Sequence, residues 1–334
     1  MRYPIPNTFG IDACCSQLIE FSSVEQLLGQ LTEIQEAKEQ GNLLIVGRGS
    51  NLLPTSDYDG TVVRSRIQGH DIVSSDDNNV LVRCGSGETV DDVIQWAIDN
   101  HLYGLENLSY IPGEVGASAV QNIGAYGSEA KDFIDSIEAV EIMTGKTVVI
   151  TNSECHYAYR YSRFKDEWKN RFIIISVTYK LSKTFFPHLD YGNICDSLSE
   201  RGISEPTAQQ LRDVIIDIRK SKLPDPQVEG NAGSFFMNPI VPMEKYVELA
   251  ERYPGMPHYS VDESHEKIPA GWMIDQCGWK GRTVSNAGVH DRQALVLVNR
   301  GGASGSEIVH LCEMIQRDVK DKFGIEIRPE VNIV

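Results

Sequence analysis

Apolar side chains recur at helical spacing in several stretches of the chain. Ser22-Ser-Val-Glu25 is typical of a capping box, and a predicted helix follows that ends at Gly41-Asn42, with its apolar face made by Val24, Leu27, Leu28, Leu31 and Ile34. Similar patterns predict four further helices. One follows Thr89, one follows Pro206-Thr207, and one lies near Met243 to Arg252. The last runs from about Ser306 to Phe323 and ends at the C-cap Gly324.

Strands are predicted where apolar residues alternate or run together. Leu43 to Val46 is a short buried run, Arg171 to Leu181 alternates over the length of a long strand, and Thr144-Gly145 joins two strands as a hairpin. Strands outnumber helices in this part of the chain and lack the regular alternation with helices of a doubly wound sheet. The pattern therefore predicts an α+β fold.

The segment Lys222-Leu-Pro-Asp-Pro226 ends a helical pattern with two prolines, and we interpret it as a domain boundary. The chain has 334 residues, a length that suggests two or three domains. We predict three, comprising residues 1–67, 68–218 and 219–323, followed by a strand-like C-terminal segment at 324–334.

Composition narrows the class of protein. Hydrophobic residues make up 41% of the chain, and no apolar run approaches the roughly 20 residues of a membrane helix. The N-terminal residues lack the pattern of a signal peptide, so we expect a cytoplasmic protein. The net charge of −16 argues against non-specific binding to nucleic acid or membranes. Seven scattered cysteines and eight dispersed histidines show no metal-ligand spacing, and we expect reduced thiols and no metal site.

Three glycine-rich segments stand out at residues 43–51, 111–127 and 229–239. The central one carries four glycines among small residues and is expected to be neither helix nor strand, because glycine costs roughly 1 kcal/mol against alanine in a helix. Glycine lets the backbone approach a ligand closely and point N–H groups at it. These segments predict one extended, phosphate-bearing ligand, but match neither a P-loop nor a Rossmann dinucleotide motif.

Three polar residues are candidates for chemistry, and the residues alone leave two interpretations of each. Arg160, between tyrosines, is either a surface charge or a guanidinium fixed to bind a carboxylate. Ser234, after Gly233 and before two phenylalanines, either bonds its own loop or donates a proton in a dry pocket. Glu330 either faces solvent or is buried for a purpose.

A set of short motifs resembles the UDP-N-acetylenolpyruvoylglucosamine reductase family over nearly the whole chain. In order, the motifs are Asn7-Thr-Phe-Gly-Ile11, Gly47-Arg-Gly-Ser-Asn51, Ile111-Pro-Gly-Glu-Val-Gly116, Gln121-Asn-Ile-Gly-Ala-Tyr-Gly127, Tyr159-Arg160, Lys222-Leu-Pro-Asp-Pro226, Gly230-Asn-Ala-Gly-Ser-Phe-Phe236 and Pro329-Glu-Val331. Leu189-Asp-Tyr-Gly-Asn193 further resembles the subtype of the family that carries a substrate-closing tyrosine loop.

The resemblance implies the two-domain FAD-binding fold of the vanillyl-alcohol-oxidase (PCMH) type, with a third α+β domain that binds substrate. The C-terminal segment would return to the first domain. It also implies non-covalent FAD, which NADPH reduces before a UDP-sugar enters the same site. The enolpyruvyl group of UDP-N-acetylglucosamine enolpyruvate would then take a hydride at C3 and a proton at C2. The product, UDP-N-acetylmuramate, serves peptidoglycan synthesis and hence cell-wall biogenesis, cell shape and division.

The resemblance also implies a role for individual residues. Ser234 would donate the C2 proton, while Arg160 and Glu330 would stabilise negative charge on the enolpyruvyl carboxylate. The substrate would be held by Tyr159, Tyr191, Lys222 and Asn238. FAD would be bound by Gly47, Arg48, Gly49, Ser50, Asn51, Pro112, Gly113, Gly116, Ala117, Ser118, Asn122, Gly124, Ala125, Tyr126 and Gly127.

One departure from the family pattern is Ala119, where proline is usual, and we expect a looser loop there with an intact site. Two alternatives to the reductase are an FAD-linked oxidase of the same fold and an inactive FAD-binding module. No His or Cys lies in the glycine-rich segments to attach a flavin covalently, which disfavours the oxidase. The presence of Ser234, Arg160 and Glu330 disfavours the inactive module. We expect a monomer whose partners are small molecules.

Overall fold

The computed structural model describes residues 2–334, so Met1, where the first predicted domain begins, lies outside the described residues. The chain divides into two compact units. The first comprises the residues up to Pro6, Cys15–Arg48 and Tyr58–Ser221, and the second comprises Asn7–Cys14, Gly49–Asp57 and Lys222–Val334. The division into three domains at residues 67, 218 and 323 stays a prediction.

Two sheets organise the first unit. One has four strands in the spatial order Tyr3–Pro4, Cys14–Phe21, Tyr58–Ser65 and Leu43–Val46, of which the last three run parallel. The other has five antiparallel strands in the spatial order Thr147–Thr151, Ile134–Glu141, Phe172–Ser182, Asn79–Gly85 and His70–Ser75. The hairpin and the long strand that the sequence predicts are both present. Helix residues Leu27 and Ile34 pack with the four-stranded sheet, and helix residues Val93 and Ile94 pack with the five-stranded sheet.

Helices of the first unit bury the apolar faces that the sequence pattern indicates. Val90, Val93, Ile94, Ala97 and Ile98 join the core of the five-stranded sheet. The α-helices are Val24–Gly29, Leu31–Glu39, Val90–Asp99, Val115–Gln121, Ile194–Glu200 and Ala208–Lys222. Short 3₁₀ turns lie at Glu106–Leu108, Ala130–Asp132, Asn152–Cys155 and Arg163–Lys165.

The predicted first helix is two helices in the structure. Ser23, not Ser22, is the N-cap, and its hydroxyl accepts a hydrogen bond from the backbone N–H of Gln26. The helix then breaks at Gln30, which caps one helix and begins the next. Leu27 of the first piece and Ile34 of the second are fully buried, whereas Leu28, which was predicted on the same apolar face, is 42% exposed. The prediction for Leu28 is therefore wrong, because the break at Gln30 changes which side chains face the core.

Among the described residues, the second unit contains three small sheets and three helices. Its four-stranded sheet has the spatial order Gly230–Ser234, Val296–Asn299, Ala287–Val289 and Thr283–Val284, and its three-stranded sheet has the order Ile240–Pro242, His265–Lys267 and Tyr259–Asp262. The helices are Met243–Arg252, Ala270–Gln276 and Gly305–Phe323. The last helix ends at Gly324 with φ 68°, the left-handed C-cap that the sequence predicts.

The C-terminal segment forms less strand than expected. Only Asn332–Ile333 is a strand, and it pairs in parallel with Leu52–Leu53. Most of the preceding residues make no ladder, although Ile325, Ile327 and Val331 are buried. Their alternation therefore reflects burial beside a helix and not membership of a sheet.

Two kinds of feature are absent from residues 2–334. No helix among them is both long and apolar enough to cross a membrane. No three His, Cys, Asp or Glu side chains among them are grouped as the ligands of a metal ion.

Candidate active site

The glycine-rich stretch of the first unit is a short helix, so the expectation of an irregular loop there is wrong. Val115–Gln121 is helical, and Asn122 ends the helix with φ 48°. Val115 and Ala119 are fully buried in the core of this unit, and their burial outweighs the low helix propensity of glycine. Ala119, where the family usually has proline, is therefore a buried helical position and not part of a loop.

Asn122 uses its side chain to hold the end of this helix in place. Its Nδ2 donates to Glu129 Oε2 at 3.0 Å and to the carbonyl of Ala158 at 2.9 Å, and its Oδ1 accepts from the N–H of Lys131 at 3.0 Å. The residue is fully buried. These bonds fix the helix end to the hairpin at 124–129 and to the turn that carries Arg160.

Two predicted cofactor residues in the helix have polar groups already engaged inside the unit. The N–H of Gly116 donates to the carbonyl of Ser86 at 2.9 Å, and a Cβ at position 116 would lie 2.8 Å from the Cβ of Ser86. The hydroxyl of Ser118 donates to the carbonyl of Val115 at 2.6 Å. Glycine at 116 therefore lets the helix pack closely, whereas Ala117 and Pro112 of the same stretch are exposed.

A buried ion pair lies directly beside Gly47. Arg64 Nη2 donates to Glu114 Oε1 at 2.5 Å, and the two residues are only 7% and 4% exposed. A Cβ at position 47 would lie 2.8 Å from Glu114 Oε2. Arg64 neutralises the carboxylate that faces this turn, and its buried Nε has no hydrogen-bond partner among the described residues. Neither Arg64 nor the role of Glu114 was identified from sequence.

Arg160 is held in one orientation by its surroundings. It has φ 55°, its Nη2 donates to the carbonyl of Gly124 at 2.8 Å, and its guanidinium carbon lies 5.3 Å from the centre of the Tyr159 ring. Arg160 is half-buried. Of the two interpretations left open by the sequence, these contacts favour a guanidinium fixed by its neighbours, with Tyr159 supporting it from one face.

Arg219 is a second cation of this region that sequence analysis missed. Its Nε donates to the carbonyl of Tyr110 at 3.0 Å. Burial lowers the pKa of Arg219, an effect that Tyr126 and Asp91 oppose and that the charge of Arg160 reinforces. The signal in the sequence was the cationic run Arg219-Lys220-Ser221-Lys222 at a helix end.

Tyr126 and Gly127 form a left-handed turn against which Tyr191 packs. Tyr126 has φ 49° and Gly127 has φ 82°. A Cβ at position 127 would lie 3.5 Å from the Cβ of Tyr191, so the two segments are in van der Waals contact. Burial raises the pKa of Tyr126. The first unit thus brings Tyr191 to the glycine-rich stretch.

In the second unit, Ser234 lies at the end of a strand that contains a β-bulge. The register of strand Gly230–Ser234 against Val296–Asn299 shifts between Asn231 and Ser234, and Gly233 has φ 68°. Bulges of this kind redirect a side chain and increase local twist. The sequence showed a flexible glycine here, and in the structure this glycine lies in the bulge that precedes Ser234.

The catalytic candidates Ser234 and Glu330 are brought together in the second unit. The N–H of Glu330 donates to the carbonyl of Phe235 at 2.7 Å, and the N–H of Met237 donates to the carbonyl of Arg328 at 2.9 Å. Asn51 Nδ2 donates to the carbonyl of Glu330 at 3.2 Å. The backbones beside the serine and the glutamate are therefore joined directly, and Glu330 is half-buried.

Apolar packing and one N-terminal motif support the serine segment. Phe235 and Phe236 are buried with ring centres 5.2 Å apart. Thr8 donates from its hydroxyl to the carbonyl of Asn231 at 2.6 Å and accepts at its own carbonyl from the N–H of Asn231 at 2.9 Å. Asn231 Oδ1 in turn accepts from the N–H of Gly233 at 2.9 Å. Sequence analysis missed this bracing role of Thr8 and Asn231.

The remaining predicted residues of the second unit differ in how they are held. Lys222 is exposed at the end of its helix. Asn238 Oδ1 accepts from the N–H of Ala270 at 2.9 Å, which directs the amide nitrogen of Asn238 away from that helix start. Gly49 has φ 75°, the left-handed geometry that can turn successive N–H groups toward one anion.

Comparison with protein families identifies two regions of the chain. Residues 225–334 match the family described as UDP-N-acetylenolpyruvoylglucosamine reductase, C-terminal domain. Residues 17–151 match the family described as FAD binding domain. The FAD binding domain match contains the residues predicted to bind FAD. The C-terminal domain match contains Ser234, Asn238 and Glu330, which were predicted for catalysis or substrate binding.

A solved structure shows the same fold. The crystal structure of UDP-N-acetylenolpyruvylglucosamine reductase from Thermus caldophilus superimposes with a TM-score of 0.69 and 22% sequence identity, covering 100% of this chain and 98% of that one. This likeness and the FAD binding domain match confirm the predicted α+β, FAD-binding fold class.

Curated relatives are similar over nearly their whole length. A protein of Bacteroides fragilis (strain YCH46) named UDP-N-acetylenolpyruvoylglucosamine reductase is 50% identical over 98% of this chain and 97% of its own. A protein of the same name from Flavobacterium johnsoniae is 46% identical over 98% of this chain and 96% of its own. By this identity and coverage, the chain belongs to the UDP-N-acetylenolpyruvoylglucosamine reductase family.

Proposed function

We propose that the chain uses NADPH to reduce UDP-N-acetylglucosamine enolpyruvate to UDP-N-acetylmuramate, as a UDP-N-acetylmuramate dehydrogenase of peptidoglycan synthesis. The observation that carries this proposal is the 50% identity over 98% of the chain to a relative named for the same reduction. FAD is the cofactor, since residues 17–151 match an FAD binding domain. These matches favour the reductase over an FAD-linked oxidase or an inactive flavin-binding module.

Backbone geometry within each unit supports the proposed binding of a flavin dinucleotide. Gly127 of the first unit and Gly49 of the second have left-handed φ values of 82° and 75°, and nests of N–H groups form around such positions. Glu114, the acid beside Gly47, is neutralised by Arg64. The residues that we propose to hold FAD are Gly47, Arg48, Gly49, Ser50, Asn51, Pro112, Gly113, Gly116, Ala117, Ser118, Asn122, Gly124, Ala125, Tyr126 and Gly127. Gly116, Ser118 and Asn122 would contribute by shaping the helix, because their polar groups are engaged elsewhere.

FAD held by these residues would supply the hydride chemistry that links NADPH to C3 of the enolpyruvyl group. Charge then develops on the carboxylate of the substrate, and Arg160 is the proposed cation that stabilises it. Ser234 supplies the proton to C2, and its position next to buried Phe235 and Phe236 limits access of water. Glu330 is the second proposed residue at this carboxylate, and its backbone is joined to that of Phe235 beside Ser234.

We propose that the UDP-sugar is held by Tyr159, Tyr191, Lys222 and Asn238. Lys222 supplies a point charge for a diphosphate against the overall charge of −16. Asn238 accepts through Oδ1 from Ala270, so the group it offers to phosphate oxygen is the Nδ2 donor. Tyr159 supports Arg160 through its ring and so contributes to the same task.

The visible spectrum of the purified protein tests the reaction. A flavin band that bleaches on addition of NADPH and returns on addition of UDP-N-acetylglucosamine enolpyruvate, without oxygen, is the expected result. Acid precipitation should release all of the flavin to the supernatant. Rapid oxygen consumption with a small alcohol would instead indicate an oxidase, and a colourless protein that does not take up FAD would exclude both flavoenzymes.

We further propose that the protein acts as a monomer in the cytoplasm, with small molecules as its partners and no role for nucleic acid or membrane. The acidic net charge of −16 supports the absence of nucleic-acid and membrane partners. Sedimentation at a mass near 37.2 kDa is expected, and a concentration-independent mass of twice that value would overturn the monomer.

A further inference from the structure

Asn107 is a buried asparagine that bridges two segments of the first unit. Its Nδ2 donates to the carbonyl of Tyr126 at 2.8 Å and to the carbonyl of His188 at 3.0 Å. The residue is 2% exposed. A side-chain amide has two N–H hydrogens, so these bonds use its full donor capacity. One side chain thus ties the glycine-rich stretch to residues 183–193, which we call the tyrosine loop because they carry Tyr191.

The position of Asn107 is fixed by the turn that contains it. Glu106–Leu108 is a 3₁₀ turn, and the carboxylate of Glu106 accepts from the N–H of Gly104 at 2.9 and 3.1 Å. The hydroxyl of Ser109 donates to the carbonyl of Glu106 at 2.6 Å. Leu105 and Leu108 are buried in the core of the unit. The asparagine therefore projects from a rigid base.

The two segments that Asn107 joins also pack against each other. A Cβ at position 127 would lie 3.5 Å from the Cβ of Tyr191, and a Cβ at position 192 would lie 3.6 Å from ring carbons of Tyr126. Gly192 has φ 68°, so it suits a close turn. His188, which accepts a hydrogen bond from Asn107, lies three residues before Tyr191. The way His188 is anchored therefore affects the contact between Tyr126-Gly127 and Tyr191-Gly192.

We propose that Asn107 is a positioning residue that holds the tyrosine loop on Tyr126-Gly127, so that Tyr191 is oriented for the UDP-sugar. This inference rests on the proposed function, in which Tyr191 binds that substrate. Tyr126 and Leu189 of the loop also pack against one buried apolar cluster, which includes Ile194. The two donors of Asn107 supply a directional constraint that such apolar contacts lack.

The structure offers a matched control. Asn152 donates from its Nδ2 to the carbonyls of Lys131 and Ile134, both at 2.8 Å. It is also a side-chain amide that bridges two backbone carbonyls of the first unit, and neither carbonyl belongs to the tyrosine loop. Asn107→Ala and Asn152→Ala therefore remove the same kind of interaction at two places.

Steady-state kinetics of the FAD-loaded enzyme test the proposal. Asn107→Ala should raise the KM for the UDP-sugar by roughly 10-fold, the loss expected for two hydrogen bonds, with kcat within about 2-fold of wild type. Bound FAD per chain should be unchanged, and chymotrypsin should cut the loop at Tyr191 faster than in wild type. Asn152→Ala should change neither KM nor the rate of cutting.

An unchanged KM and an unchanged cutting rate in Asn107→Ala would overturn the inference, as would equal effects in Asn152→Ala. If Asn107→Ala does not fold, Gly192→Ala decides, because alanine at a φ of 68° strains the backbone within the tyrosine loop. Its control is Gly202→Ala. Gly202 has a similar φ of 70°, and a Cβ added there would have no heavy atom of residues 2–334 within 4 Å. A higher KM only in Gly192→Ala supports loop docking, and equal values overturn it. Wild-type enzyme that fails to turn over the UDP-sugar would instead refute the proposed function.

Discussion

Two glycines of the first unit and one of the second are required for different physical reasons. Gly47 and Gly116 lie where a Cβ would approach another residue to 2.8 Å, so glycine at these positions lets the elements of the first unit pack closely. Gly233 has φ 68° and no heavy atom of residues 2–334 within 4 Å of a Cβ, so glycine at this position serves a backbone angle. A glycine-rich sequence therefore indicates that glycine is needed, but it does not distinguish close packing from a left-handed backbone angle.

This comparison has a functional side. Gly47 lies beside the ion pair of Arg64 and Glu114, and Gly116 lies within the helix Val115–Gln121. The task proposed for both glycines is to help hold a cofactor. The left-handed glycine of the second unit belongs to a bulge before Ser234, where the proposed task is to direct a proton donor. Rigid packing suits the first task, and control of one side-chain direction suits the second.

The largest expected effect separates the half-reactions at Ser234. Ser234→Ala should leave bleaching of the flavin by NADPH near normal, because that step needs no proton on a substrate carbon. Re-oxidation by the UDP-sugar should slow by roughly 10²–10⁴-fold, the range for a lost general acid. Stopped-flow absorbance measures both steps. Ser306→Ala, on the exposed face of a helix, is the control, and equal slowing of both steps would mean general distortion of the site.

A second prediction breaks the ion pair beside Gly47. Arg64→Met leaves the Glu114 carboxylate buried without its partner, which should lower the free energy of unfolding by roughly 3–5 kcal/mol and weaken FAD retention. Adding Glu114→Gln should recover most of both losses, as chemical denaturation and flavin content will show.

The control for the ion pair is Arg66→Met, which removes an exposed pair with Glu20. Exposed pairs contribute at most about 1 kcal/mol, so this change should be small. If Arg64→Met proves no worse than Arg66→Met, the pair does not matter for the cofactor region.

The third prediction concerns Lys222. Lys222→Ala should weaken binding of the UDP-sugar and of NADPH by roughly 1.5–3 kcal/mol, since each brings a diphosphate to a charge-assisted hydrogen bond. Michaelis constants for both ligands are the measurement. Lys320→Ala, which removes only an exposed pair with Glu326, should leave them unchanged. Normal constants in Lys222→Ala would remove Lys222 from the site.

The smallest effects test the comparison of glycines itself. Gly116→Ala should destabilise the protein by roughly 1–3 kcal/mol through overpacking against Ser86, and Ser86→Gly should relieve much of that cost. Gly233→Ala should cost roughly 1–2 kcal/mol through its left-handed angle. Gly233→Asn should cost less, because asparagine tolerates that angle. Thermal unfolding of the single and double variants distinguishes overpacking from backbone strain. If Ser86→Gly restored the stability lost in Gly233→Ala, the two glycines would not differ in cause as proposed.

Much of the fold followed from local pattern. The helices at Met243–Arg252 and Gly305–Phe323 and the hairpin around Thr144-Gly145 were predicted, since their apolar residues repeat at the period of the element. The helix at Val115–Gln121 was not predicted, because its stability comes from burial of Val115 and Ala119 in a core made by other segments. Local propensity carries no information about such a partner.

The candidate site divides in the same way. The motifs around Ser234, Arg160 and Lys222 were recognisable because each is short and continuous in sequence. The anchoring contacts of Thr8, Asn107 and Arg219 were not, because their partners are distant in the chain and no spacing rule links them. Only the fold determines which distant groups become neighbours.

The sequence by itself determined the family, the α+β class and the identity of the residues proposed for chemistry, since motifs and apolar periods are local properties of a chain. The tertiary structure alone decided that Glu330 lies beside the backbone of Phe235, that a bulge precedes Ser234, and that Glu114 is buried against Arg64. These three facts depend on hydrogen bonds and burial between distant segments. Such interactions acquire their energy only when folding brings the segments together and removes water from between them.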